Sequence, residues 1–223
     1  MYYVCSYCSK AFASDVRFLK HNCKEKQRTT ETKTLIGQIA YIFYEKWSKQ
    51  QYGKTVDTTS FITSRYYKSF IVFANFVKNI KGLAEPDLFI RLMIDNKFPP
   101  NMWYNPKVYI KYLTYIETTT STSDKIVKTL SVLESIADKN NCELSNVFNY
   151  TPLSVITQLI YSHKISPWVL LHSKQFIKFI MTLNTEEQTI LDDLINPKEW
   201  KQTFDTNTKS VKVIKKCLRQ LNL

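Results

Sequence analysis

Four side chains near the start of the chain have the types and the spacing to hold a metal ion. Cys5 and Cys8 enclose two residues, His21 follows Cys8 after twelve more, and Cys23 lies two residues beyond His21. Thiolate sulfur and imidazole nitrogen are the donors that tetrahedral Zn²⁺ prefers. Two aromatic residues, Phe12 and Phe18, lie between the donor pairs, and Tyr3 precedes Cys5 by two. A segment of about 25 residues cannot bury enough surface to fold alone. An ion joining its two ends would supply the missing free energy, with Phe12 and Phe18 as a small core. Ser14 can accept a hydrogen bond at the start of the helix that carries Phe18 and His21.

The run Cys5-x2-Cys8-x3-Phe12-x5-Phe18-x2-His21 resembles a C2H2-type zinc finger, hydrophobic positions included. The resemblance implies a ββα module over residues 1–28 and Zn²⁺ as cofactor. It fails at the fourth ligand, because no second His follows within five residues. Cys23 is the nearby substitute, but residues at i and i+2 do not share a helix face. Cys23 reaches the ion only if the helix ends or unwinds at Asn22, a residue that tolerates left-handed geometry; an open three-ligand site and a distant fourth ligand are the alternatives. If residue 15 opens the finger helix, the base-reading positions fall on Ser14, Arg17 and Lys20. Lys10, Lys24, Lys26 and Arg28 would then neutralise phosphates. One finger covers roughly 3 bp, so it specifies little alone.

Other chemistry is sparse. Three glycines, Gly37, Gly53 and Gly82, lie too far apart for a phosphate-cradling loop, which excludes Rossmann and P-loop enzymes. His163 and His172 bracket Ile165-Ser166-Pro167-Trp168-Val169-Leu170, where Ser166 and Pro167 read as a helix start rather than a catalytic pair. Glu186-Glu187 suit a helix N-terminus after Thr185. No Ser/His/Asp order and no acid–base pair stands out. Tyr66-Tyr67-Lys68 and Trp103-Tyr104-Asn105-Pro106-Lys107 mix rings with cations, as base-stacking sites do, yet most such rings should be core. Cys142 and Cys217 have no partner spacing.

The chain has 223 residues and a net charge of +12, with 44% hydrophobic and 22% charged residues, so a sizeable core is expected. Residues 1–34 hold 7 basic against 3 acidic side chains, and residues 209–219 hold 5 against none. Clustered cations suit a polyanion. No apolar run reaches the roughly 18–20 residues of a membrane span, and no secretory signal opens the chain. The reading is a cytoplasmic protein with reduced cysteines and no membrane partner.

The elements that must position these residues read as helices. Residues 24–34 lack an apolar period and form a linker or a first helical turn. Helical spacing then runs from Leu35 to Trp47, and from Ser60 through Phe70 and Phe76 toward Gly82. Pro86 and Pro106 open further helices, residues 118–123 form a loop, and Ser123 or Asp124 caps the next helix. Helices follow at 152–163, 167–182, 186–195 and 208–221, with a short restart after Pro197. The last helix carries Lys212, Lys215, Lys216 and Arg219 opposite an apolar stripe. The expected fold is mostly α: a ββα module over 1–28, then an all-helical domain over 29–223.

A lone N-terminal finger ahead of a helical body resembles small proteins of large tailed bacteriophages. Tyr3-Val4-Cys5-Ser6-Tyr7-Cys8, Phe18 to Lys24, Ile165 to Leu170 and Ile195 to Trp200 carry that likeness. Some helical phage proteins of this kind are associated with hypermodification of thymine in DNA, but none of their catalytic residues maps onto this chain. Three functions follow as expectations. The first is a zinc-dependent nucleic-acid-binding accessory protein, on DNA more than RNA, in replication, transcription or modification. The second is a DNA base-modifying enzyme with a helical catalytic domain. The third is an interaction module for phage or host replication or transcription proteins.

Overall fold

The computed structural model describes residues 2–195, 200, 202 and 205–223. Two short strands, β1 (Tyr3–Val4) and β2 (Ala11–Phe12), pair antiparallel with Tyr3 opposite Phe12. Helices fill most of the remainder. The restart expected after Pro197 lies mostly outside the described residues.

The chain divides into two compact units, residues 1–79 with 85–108, and residues 80–84 with 109–223. The first holds α1 (Asp15–Leu19), α2 (Lys24–Thr32), α3 (Leu35–Tyr52), α4 (Thr58–Thr63), α5 (Tyr67–Asn79) and α6 (Pro86–Asp95). Its core is aromatic. Trp103, fully buried, meets the edges of Phe70, Phe73 and Phe89 at 5.5–5.7 Å, and its indole N–H donates to the Phe98 carbonyl. Tyr67 is buried as well, so in both ring-and-cation clusters a principal ring serves as core.

The second unit holds most of α7 (Pro106–Thr119), then α8 (Thr122–Lys139), α9 (Leu153–Tyr161), α10 (Pro167–Leu170), α11 (Lys174–Thr182), α12 (Thr185–Ile195) and α13 (Thr208–Gln220). A 3-10 stretch at Leu144–Tyr150, for which the sequence gives no periodic signal, packs against α8 and α11. Ile156, Ile165, Val169, Leu170, Phe176 and Ile214 are among its buried side chains.

Capping chemistry explains where the elements depart from expectation. Asp57, not Ser60, opens the second segment by accepting from the Ser60 N–H at 2.7 Å, and extended backbone at Ser64 splits that segment in two. The threonine run is no loop. Thr118, Thr119 and Thr120 return their hydroxyls to carbonyls three or four residues back, so α7 continues to Thr119, and Ser121 caps α8. The expected helix 167–182 breaks because buried Ser173 accepts from the Phe176 N–H at 3.1 Å and starts a new helix.

Candidate metal centre

The four donors converge. One ligand atom from each of Cys5, Cys8, His21 and Cys23 lies within 4.8 Å of all the others. Cys5 Sγ is 3.6 Å from Cys23 Sγ, and Cys8 Sγ is 3.2 Å from His21 Nε2. Thiolates on one tetrahedral ion with metal–sulfur bonds near 2.3 Å stand roughly 3.8 Å apart, so the spacing fits a tetrahedral divalent cation. Among the described residues this is the one such group of Cys, His and acidic side chains.

Each donor is held by local backbone geometry. The turn after β1 is closed by the Ser9 N–H to the Cys5 carbonyl at 2.8 Å, with Ser9 in left-handed conformation. That turn aims the Tyr7 and Cys8 backbone N–H groups at Cys5 Sγ, and they hold its thiol down, to about 6. Burial pushes the Cys23 thiol up, to about 11. The Phe12 ring lies tilted 4.8 Å from the His21 ring and 5.9 Å from Phe18, and Phe18 stacks 6.0 Å from Tyr3. The small core expected between the donor pairs is therefore present.

The fourth ligand is reached in an unexpected way. Helix α1 ends at Leu19, with Lys20 as its C-cap in right-handed conformation. Asn22 is not left-handed. His21, Asn22 and Cys23 are non-helical, so the i, i+2 restriction does not apply. Cys23 is also the N-cap of α2, where its sulfur accepts from the Lys26 N–H at 3.4 Å. A thiolate at a helix N-terminus is favoured by the backbone dipoles.

The proposed contact residues divide. Ser14 is the N-cap of α1 and accepts from the Arg17 N–H at 3.4 Å. Lys10, Arg17, Lys20, Lys24 and Lys26 are exposed. Arg28 is half-buried, donates to the Ile62 and Ser64 carbonyls at 2.6 and 3.3 Å, and lies over the Tyr67 ring. Lys212, Lys215, Lys216 and Arg219 are exposed on α13 and line one open concavity of about 390 Å³.

The second unit contains a polar cluster that the sequence reading did not assemble. Glu117 on α7 is buried, with Oε1 accepting from the Ser166 hydroxyl and Oε2 3.3 Å from His163 Nε2. The Ser166 N–H donates to Thr129 Oγ1 at 2.9 Å, and Ser166 Oγ caps α10. Glu117 gave no sequence signal, because a lone Glu near the end of an apolar helix looks like a surface residue. Comparison with protein families, with curated proteins and with solved structures returns no match for this chain.

Proposed function

We propose that the chain is a zinc-dependent nucleic-acid-binding accessory protein, phage-encoded and acting on DNA more than RNA. The observation that carries this reading is the convergence of three cysteine sulfurs and one imidazole within 4.8 Å, in a short module whose outward cations are Lys10, Arg17, Lys20, Lys24 and Lys26. Three sulfurs and one nitrogen suit Zn²⁺ better than Mg²⁺ or Ca²⁺, which take oxygen donors. Closing all four coordination positions with protein atoms makes the ion structural rather than catalytic. Its work is to fix the short helix α1 so that Arg17 and Lys20 present cations in a defined arrangement. Arg28 is left out of the contact set, since its guanidinium ties α2 to α4 and α5. The exposed cations of α13 form a second positive patch, within the other unit.

A mobility-shift assay on single-stranded DNA, duplex DNA and RNA, with and without chelator, tests the reading. Metal analysis of the purified protein accompanies it. One zinc per chain and a chelator-sensitive shift are expected, with log affinity falling against log salt at about −0.9 per neutralised phosphate on duplex. Binding that is flat in salt, or unchanged after the ion is removed, contradicts it. A nuclease-insensitive pull-down of replication or transcription proteins, with no shift on any nucleic acid, would select the interaction-module reading. The enzyme reading draws its support from the buried polar cluster at Glu117.

A further inference from the structure

We infer that the second unit binds a phosphate group in the cavity where the first turns of α8 and α13 meet, with Lys125 as its principal ligand. The cavity has a volume of about 230 Å³, and Glu117, Ser121, Thr122, Lys125, Trp168 and Ser210 are among the residues that line it. That is below the roughly 300–1,000 Å³ of pockets that enclose drug-sized molecules, and suits a phosphate or the phosphate end of something larger.

Three features point to an anion. Thr122 Oγ1 donates to Ser210 Oγ at 3.0 Å, which joins the two first turns. Helix N-termini carry partial positive charge and unsatisfied N–H groups, and here two long helices direct theirs to one place. The second feature is independent of the helices. Lys125 is 8% exposed, lines the cavity, and among the described residues makes no hydrogen bond or ion pair. A buried ammonium is costly unless paired. Its one described contact is with the face of Trp168, 5.5 Å from ammonium to ring centroid. Burial pulls its pKa down, and the Glu117 charge restores part of it. The third feature is that Glu117, whose two oxygens are engaged by Ser166 and His163, acts on Lys125 through its charge without making an ion pair with it. Asp124 is exposed at the cap of α8 and holds the Ser121 hydroxyl at 2.6 Å. The arrangement thus has a cation, the Ser210 hydroxyl and helix N-termini around a space in which no anion among the described residues makes an ion pair with Lys125.

The test uses the full-length, metal-loaded chain in 0.15 M salt, an ionic strength that screens exposed charges beyond about 8 Å. Inorganic phosphate is titrated against chloride of matched ionic strength, following amide resonances of the α8 first turn and the melting temperature. Phosphate should shift both where chloride does not. Lys125→Met, which keeps an unbranched side chain of similar length without the charge, should weaken phosphate binding at least about tenfold, the usual loss for a charge-assisted hydrogen bond. The same variant without phosphate should melt no lower than the parent, because it removes a buried unpaired charge. Lys212→Ala with Lys216→Ala should leave the phosphate response intact. If Lys125→Met fails to fold, Ser210→Ala should still weaken phosphate binding without unfolding the chain.

A mononucleotide and a pair of oligonucleotides, one bearing a 5′-phosphate and one a 5′-hydroxyl, identify the source. Preference for the phosphorylated oligonucleotide assigns a nucleic-acid end, and equal binding of the mononucleotide assigns a soluble phosphate ester. The inference is overturned if phosphate acts no differently from chloride. It is also overturned if the response survives in Lys125→Met, or if only the Lys212/Lys216 variant loses it. Chelation, which tests the metal module, should leave this response unchanged.

Discussion

The Arg28 guanidinium lies 4.5 Å from the centroid of the Tyr67 ring while donating to the Ile62 carbonyl at 2.6 Å. Tyr67 reciprocates, since its hydroxyl donates to Glu31 Oε2 at 2.8 Å and sits 3.1 Å from the Arg28 carbonyl oxygen. Burial pushes that phenol up to about 12, so it remains a donor at neutral pH. Helix α2 therefore has two jobs. Its N-cap, Cys23, is a metal ligand, and one turn later Arg28 fastens it to α4 and α5.

Arg28→Ala should lower stability by about 2–3 kcal/mol, because it strands the Ile62 carbonyl, leaves the Ser64 carbonyl with only the Tyr67 N–H, and removes a cation–π contact. Metal stoichiometry should stay the same, since no donor is touched. Tyr67→Phe should cost about 1 kcal/mol, the value of one hydrogen bond. Denaturant melts paired with metal analysis separate the two effects. A fall in bound metal that tracks the loss of stability would show that the anchor and the site are not separable.

Removing the ion should loosen residues 2–23 selectively. That stretch has little core of its own beyond Tyr3, Phe12 and Phe18, whereas α3 and α5 are held by buried Phe43, Trp47, Phe70 and Phe73. On chelation, amide exchange in residues 2–23 should rise by about 100-fold or more, with α3 and α5 changing by less than about threefold. Cys8→Ser should reproduce the pattern. Uniform loss of protection across the first unit would mean that the ion supports the whole unit.

The metal donors were legible in the sequence because their spacing is local: a tight turn, a short helix and two aromatic residues leave few ways to arrange four donors. The helical body was legible from apolar periodicity, as far as its elements but not their ends. The ends were decided by single hydrogen bonds, at Asp57, Ser121 and Ser173, which compete with equally plausible neighbours. The route of Cys23 into the site was hidden for the same reason, since the helix stops at Leu19 rather than at Asn22. The cluster around Glu117 was not legible at all. Its members come from α7, α8 and the α9–α10 connection, with sequence separations of 46 and 49 residues between Glu117 and its two partners. Only the packing of the second unit brings them together.

Gly37 should tolerate no side chain. Two residues, Lys33 and Thr34, join α2 to α3, so the helices touch at their junction. A Cβ on Gly37 would stand 2.2 Å from the Glu31 carbonyl oxygen and 2.4 Å from Thr32 Cα. Both are backbone atoms, so relief requires moving a helix rather than rotating a side chain. Gly37→Ala should cost about 3 kcal/mol or more despite the better helix propensity of Ala. Thermal melts should show it, and a variant as stable as the parent would mean that the α2–α3 angle adapts at little cost.

His172 should make the second unit sensitive to acid. Burial, aided by the Lys215 charge, lowers its pKa from 6.5 to about 4. Between those values the unfolded chain binds the proton and the folded chain does not, so acid favours unfolding. The contribution is complete above about pH 6.5, fades as the pH falls toward about 4, and is constant below that. The shift corresponds to at most about 3 kcal/mol, and partial exposure of the ring reduces this to roughly 1–2 kcal/mol. Denaturant melts of parent and His172→Gln from pH 7.5 to 4 isolate the term, because other groups titrate alike in both proteins. The stability gap between the two should close or reverse by about that amount as the pH falls. A gap that stays constant would mean that folded His172 takes up its proton at an ordinary pH. Lys215→Met should raise the folded-state pKa slightly toward 6.5, burial being the larger cause, so the contribution becomes smaller and its fading is complete at a slightly higher pH.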